Sequence, residues 1–137
     1  MSGKEIIKKF NNIVKDLLDD MTDVIGKNYL TKFKLITRIN SGLPIKKFRL
    51  NVLKFKSYIV EKNQKYFEDD TIIINELDNS PDIENEKDKE YYLNEYYSFR
   101  DIYYGIDSNS RKNLWDILKV LIFLCESYHI EQKQINL

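Results

Sequence analysis

The chain has 137 residues and a formal net charge of +0, with 42% hydrophobic, 13% aromatic and 32% charged residues. That is enough for one domain with its own core and too little for a second. A single cysteine, Cys125, excludes an intrachain disulfide, and the longest apolar run, Val120 to Cys125, is too short to span a bilayer.

The first predicted element is a helix over Ser2 to Ile25. Ile6, Phe10, Ile13, Val14, Leu17, Met21 and Val24 recur every three or four residues, with Ser2 or Gly3 to cap the start and Gly26 to end it. A second helix is expected from about Tyr29 to Ile39, broken by Asn40-Ser41-Gly42. Pro44 suits the first turn of a third, in which Ile45, Phe48, Val52, Phe55 and Ile59 keep helical spacing to about Asn63. Tyr66 to Asp70 reads as a short acidic-aromatic turn, and Thr71 to Ile74 as a β-prone connector too short to make a sheet. Residues 78–90 contain one apolar side chain in thirteen and are expected to form a flexible acidic loop. An aromatic helix follows from Tyr91 towards Tyr103, ended by Gly105. The last helix is capped by Asp107 or Ser108. It carries Leu114, Trp115, Leu118, Leu121, Ile122, Cys125 and Tyr128 on one side and Ile117, Val120 and Phe123 around it, so it is expected to be central, with Trp115 largely buried. The fold expected is all-α: one domain over residues 1–137, a bundle of about five helices around a buried C-terminal helix. There is no alanine in the chain, so helix contacts must be made by Ile, Leu, Phe and Tyr.

The zero net charge conceals two opposed blocks. Lys27 to Lys65 holds eleven Lys/Arg and one acid, Glu61, whereas Tyr66 to Glu95 holds eleven Asp/Glu and two lysines. Within the basic block, Lys32, Lys34, Arg38, Lys46, Lys47, Arg49, Lys54 and Lys56 alternate with Tyr29, Phe33, Phe48, Phe55 and Tyr58. Basic and aromatic residues together suit phosphate neutralisation and base stacking, yet these aromatics fall at core spacing, and lysine outnumbers arginine where base reading favours arginine. Tyr91, Tyr92, Tyr96, Tyr97, Tyr103 and Tyr104 are too many for one buried face, and tyrosine is enriched where proteins meet, which makes Tyr91, Tyr92, Tyr96 and Tyr97 the candidate partner surface.

Residues able to do chemistry do not form a constellation. His129, the only histidine, lies near a helix end where a cation is favoured and has no ligand-spaced partner. Cys125 lies four residues before it on an apolar helix, without a third orienting group. The acids Asp16, Asp19, Asp20 and Asp23 fit a solvated helix face, and Glu68, Asp69 and Asp70 a helix end. The glycines stand alone, so no phosphate loop is present. No enzyme, cofactor, metal or small-molecule substrate is expected.

Lys62 to Asp70, the run Gly105-Ile106-Asp107-Ser108-Asn109-Ser110-Arg111-Lys112-Asn113-Leu114-Trp115-Asp116-Ile117-Leu118, and Leu17 to Met21 supply a further clue. In these stretches the chain resembles an uncharacterised family of small helical proteins of nucleocytoplasmic large DNA viruses. The shared motifs are a cap, a tryptophan helix start and an aromatic turn. The resemblance implies a viral source and little about chemistry. Scarce Gly and Pro and absent Ala agree with an AT-rich genome. The function expected is a non-enzymatic protein-interaction or structural role, with a protein partner or head-to-tail self-association through the opposed charges. The alternative is a nucleic-acid-binding accessory protein using the basic 27–65 surface. The start of the chain reads as free of a secretory signal, and Ser2 stands where myristoylation needs glycine. An intracellular location (cytoplasm, viral factory or virion interior) without membrane contact is expected.

Overall fold

A computed structural model describes residues 1–53, 56–61, 74–75, 77–79 and 83–135. The principal helices are α1 (Gly3–Asp20), α2 (Thr22–Ile25), α3 (Asn28–Ile39), α4 (Leu43–Asn51), α5 (Lys56–Val60), α6 (Glu86–Gly105) and α7 (Ser108–Ile135). No strand occurs among the described residues, and the all-α single-domain expectation holds. The expected turn at Tyr66–Asp70 and all but Ile74 of the β-prone connector lie outside the described residues.

Local chemistry sets the helix ends. The Ser2 hydroxyl accepts from the Glu5 backbone N–H at 3.2 Å and starts α1. The single helix expected over residues 2–25 divides at Met21. There the Thr22 hydroxyl donates to the Asp19 and Leu18 carbonyl oxygens at 2.7 and 3.1 Å, and Asp19 and Asp20 sit unfavourably at a helix C-terminus. Gly26 ends α2 with φ +81°, a conformation that a side chain would strain. The third expected helix also divides, since α4 stops at Asn51 and α5 begins at Lys56.

The acidic loop expected at 78–90 is shorter than the composition suggested. Asn85 accepts from the Asp88 N–H at 3.0 Å and starts α6 at Glu86, so residues 86–90 are helical. Asp88 in turn accepts from the Glu84 N–H at 3.2 Å, a reciprocal arrangement of the capping-box kind. Lys89 and Asp78 pair at 2.7 Å, and this carboxylate holds the Lys89 ammonium above its ordinary pKa. Residues 80–82 lie outside the described residues.

The core forms where α1, α4 and α7 meet. Ile6, Phe10, Ile45, Leu121, Leu124 and Cys125 are buried, and the Phe10 ring stands edge-on to Phe48 at 5.3 Å. Gly3 abuts Tyr128 and Gln132 at one end of α7, while Leu17 and Leu18 share a cleft with Leu114 and Leu118 at the other, so α1 and α7 run antiparallel. The Asn11 side chain donates to the Ser41 carbonyl at 2.8 Å and pins the α3–α4 turn onto α1. The C-terminal helix supplies four of the buried residues, but Val120, Phe123 and Ile130 on its outer side remain exposed.

Candidate functional site

The corner between α6 and α7 is built by Arg111. Its Nε and Nη2 donate to the Tyr103 and Tyr104 carbonyl oxygens at 2.9 and 2.8 Å, satisfying acceptors that the end of α6 leaves unpaired. The guanidinium also lies over both rings, 5.3 and 5.7 Å from their centroids. The Asp107 carboxylate accepts from the Ser110 N–H at 2.7 Å and starts α7; these backbone and side-chain hydrogen bonds from Ser110 hold its pKa below the ordinary value. Trp115 then donates its indole N–H to the Tyr103 hydroxyl at 2.8 Å, with the rings edge-on at 6.1 Å.

Trp115 is partly buried, short of the full enclosure of the core residues. It stands in the wall of an apolar cleft of about 430 Å³ that opens to solvent. Leu17 and Leu18 of α1, with Met21 just after it, form one side. Tyr96, Phe99, Ile102 and Tyr103 of α6 face them, and Leu114, Trp115 and Leu118 of α7 form the back. Among the described residues of the lining, Arg100 is the single charged one, its guanidinium stacked over Tyr97 at 4.8 Å and Tyr96 at 5.6 Å. No residue of α6 is buried, and its aromatic side chains Tyr96, Phe99 and Tyr103 border the cleft. Its size lies within the range of roughly 300–1,000 Å³ usual for ligand pockets. No small-molecule site was anticipated from the sequence, because the described lining is collected from six helices and the segments between them.

The four tyrosines singled out in sequence divide along α6. Tyr91 and Tyr92 are exposed at its start and stand edge-on to one another at 5.4 Å. Tyr96 reaches the cleft, and Tyr97 lies half-buried against Arg100. Phe99, not among those four, is exposed at the cleft rim and meets Tyr29 at 6.3 Å.

The basic residues divide as well. Lys32, Lys34 and Arg38 are exposed on α3, and Lys46 and Lys47 on α4. Arg49 instead turns to α7, where its Nη2 donates to His129 Nε2 at 3.2 Å. Lys56 pairs with Glu126 of α7 at 2.9 Å. Lys54 lies outside the described residues. Of the described aromatics among these basic residues, Phe33 is buried and Phe48 packs on Phe10, while Tyr29 is exposed.

His129 is lowered in pKa, first by desolvation and then by the Arg49 and Lys133 charges, which suits a neutral ring accepting from Arg49. Burial pushes the Cys125 thiol up, and its S–H donates to the Ile45 carbonyl at 3.7 Å, a poor setting for a thiolate nucleophile. Among the described residues, no three His, Cys, Asp or Glu side chains come together as metal ligands. No described helix is long and apolar enough to cross a membrane. No family model matches this chain, and no curated protein or solved structure matches it either.

Proposed function

We propose that this is a non-enzymatic protein-interaction protein of a large DNA virus, which takes an apolar segment of a protein partner into the cleft between α6, α1 and α7. The carrying observation is the cleft itself. Its described walls hold Trp115, Phe99 and three tyrosines, with Arg100 the lone charge among them. Aromatic residues and arginine are the types enriched at protein interfaces and at their energetic centres. The viral source rests on the family resemblance and on the alanine-free composition.

The second reading is nucleic-acid binding by the basic stretch. It is favoured by Lys32, Lys34, Arg38, Lys46 and Lys47, all exposed on two adjacent helices. Two assays on the same preparations separate these readings. The first is affinity capture from the native source by the parent chain and by Ile102→Glu, which places a charge in the cleft wall. The second is fluorescence anisotropy with labelled DNA and RNA at physiological salt. The protein reading expects a partner that Ile102→Glu loses, and weak or no nucleic-acid binding. Self-association is followed by sedimentation of the chain alone. Micromolar or tighter nucleic-acid binding that Lys46→Gln with Lys47→Gln removes would overturn the first reading in favour of the second.

A further inference from the structure

The helices α3 and α4 form a hairpin resting on α1, with Phe33 and Ile45 turned inward. At about 100° per residue, the sides opposite those two residues carry Lys32, Leu35, Arg38 and Ile39 on α3, and Lys46, Lys47 and Leu50 on α4. These three aliphatic side chains are unusually bare: Leu35 is 55% exposed, Leu50 66% and Ile39 78%. No Asp or Glu lies between Lys27 and Val60, so nothing local in sequence offsets the positive charge. Large exposed aliphatics set among cations mark a contact surface rather than a solvated helix face.

The composition of that surface selects its occupant. Protein interfaces are depleted in lysine and enriched in aromatic residues at their centres, whereas here lysines surround aliphatic side chains. Nucleic-acid surfaces display stacking aromatics or arginine forks, whereas Phe33 and Phe48 are turned into the bundle. A bilayer surface suits the arrangement. Its anionic headgroups need point charges without fixed geometry, lysine stems can lie along apolar surface while their ammonium groups stay wet, and aliphatic side chains gain by entering the headgroup–acyl boundary. We propose that the α3–α4 hairpin docks on an anionic lipid surface. Leu35, Ile39 and Leu50 enter the boundary, while Lys32, Arg38, Lys46 and Lys47 meet the headgroups. The chain lies on the membrane in this contact and does not span it. The contact is independent of the cleft.

The test is co-sedimentation of the full chain with phosphatidylcholine vesicles, alone or with about a third phosphatidylserine, at physiological salt. The chain should pellet only with phosphatidylserine present, and less as salt rises. Each of Lys32→Gln, Arg38→Gln, Lys46→Gln and Lys47→Gln should weaken partitioning about fivefold, the factor corresponding to roughly 1 kcal/mol per basic residue. The triple variant Leu35→Ser, Ile39→Ser, Leu50→Ser keeps every charge and should weaken it roughly tenfold or more. Circular dichroism checks that these surface variants stay folded. No pelleting with anionic vesicles overturns the proposal. So does unchanged vesicle binding by the triple serine variant, which would mean phosphate contact alone. Binding of DNA, RNA or polyglutamate without vesicle binding overturns it too, in favour of a polyanion or an acidic protein.

Discussion

The α3–α4 hairpin and the α6–α7 corner read alike in sequence, since both interleave aromatic with charged residues, but the fold turns them in opposite senses. In the hairpin the aromatics Phe33 and Phe48 go inward and leave a surface of lysine, leucine and isoleucine. Along α6 and its corner with α7, Tyr91, Tyr92, Phe99 and Tyr104 stay exposed, and Tyr96, Tyr103 and Trp115 line a cleft. The difference follows from packing. The hairpin presses on α1 and α4 also on α7, which closes the core over Phe33 and Phe48, whereas no residue of α6 is buried. Composition identifies neither surface; which face is buried decides both.

The largest expected effect lies beneath both regions. Phe10 is 1% exposed and packs edge-on to Phe48. Phe10→Ala should therefore cost about 3–5 kcal/mol in urea denaturation, the range for a buried aromatic. Trp115→Ala should cost less, about 1.5–2.5 kcal/mol, roughly half that range, because the ring is half-buried at the cleft wall. A Trp115 loss equal to that of Phe10 would make the corner part of the core and erase the contrast.

Between these regions sits His129, which accepts from Arg49. Its folded pKa is lowered from 6.5, so the unfolded chain binds the proton more readily. That contribution is fully present above the unfolded value and is lost as pH falls through it towards the folded one. Thermal midpoints at about pH 7.5 and about pH 5.5 should differ, the acid one being lower, and His129→Gln should shrink the difference. An unchanged difference in that variant would place the pH dependence elsewhere. The smallest effect belongs to the hairpin surface. Leu35→Ser, Ile39→Ser and Leu50→Ser should each leave stability within about 0.5 kcal/mol of the parent, since their side chains are exposed. A larger loss would show that they support the fold and are not a free surface.

Much of this was legible beforehand. The Ile6–Phe10 stripe, the Asn40–Gly42 break, Pro44 at the start of α4 and Gly105 at the end of α6 each act through local periodicity or turn chemistry, and each stands as read. The misjudged features depend on distant partners or on competing local bonds. Thr22 divides the first helix by bonding to carbonyls of the preceding turn. Asn85 and Asp88 start a helix inside a stretch that looked too polar to order. Trp115 sits on the most apolar helix and lines the cleft, at a corner where Arg111 bonds to the last carbonyls of α6. The cleft was invisible for the same reason: no spacing in the chain joins Leu17 to Tyr103 and Trp115. The basic residues were found, but not that Arg49 and Lys56 turn to α7 while the exposed aliphatics take the outer face.

The central claim is that the cleft receives part of a protein partner. Its most direct test places a photoreactive residue at Phe99, which is exposed at the rim, and identifies the products after illumination in the native source. The account predicts crosslinks to an apolar segment of one protein, suppressed by adding Ile102→Glu and unaffected by adding Ile39→Ser. Crosslinks to nucleic acid, or products that Ile102→Glu leaves unchanged, would contradict it.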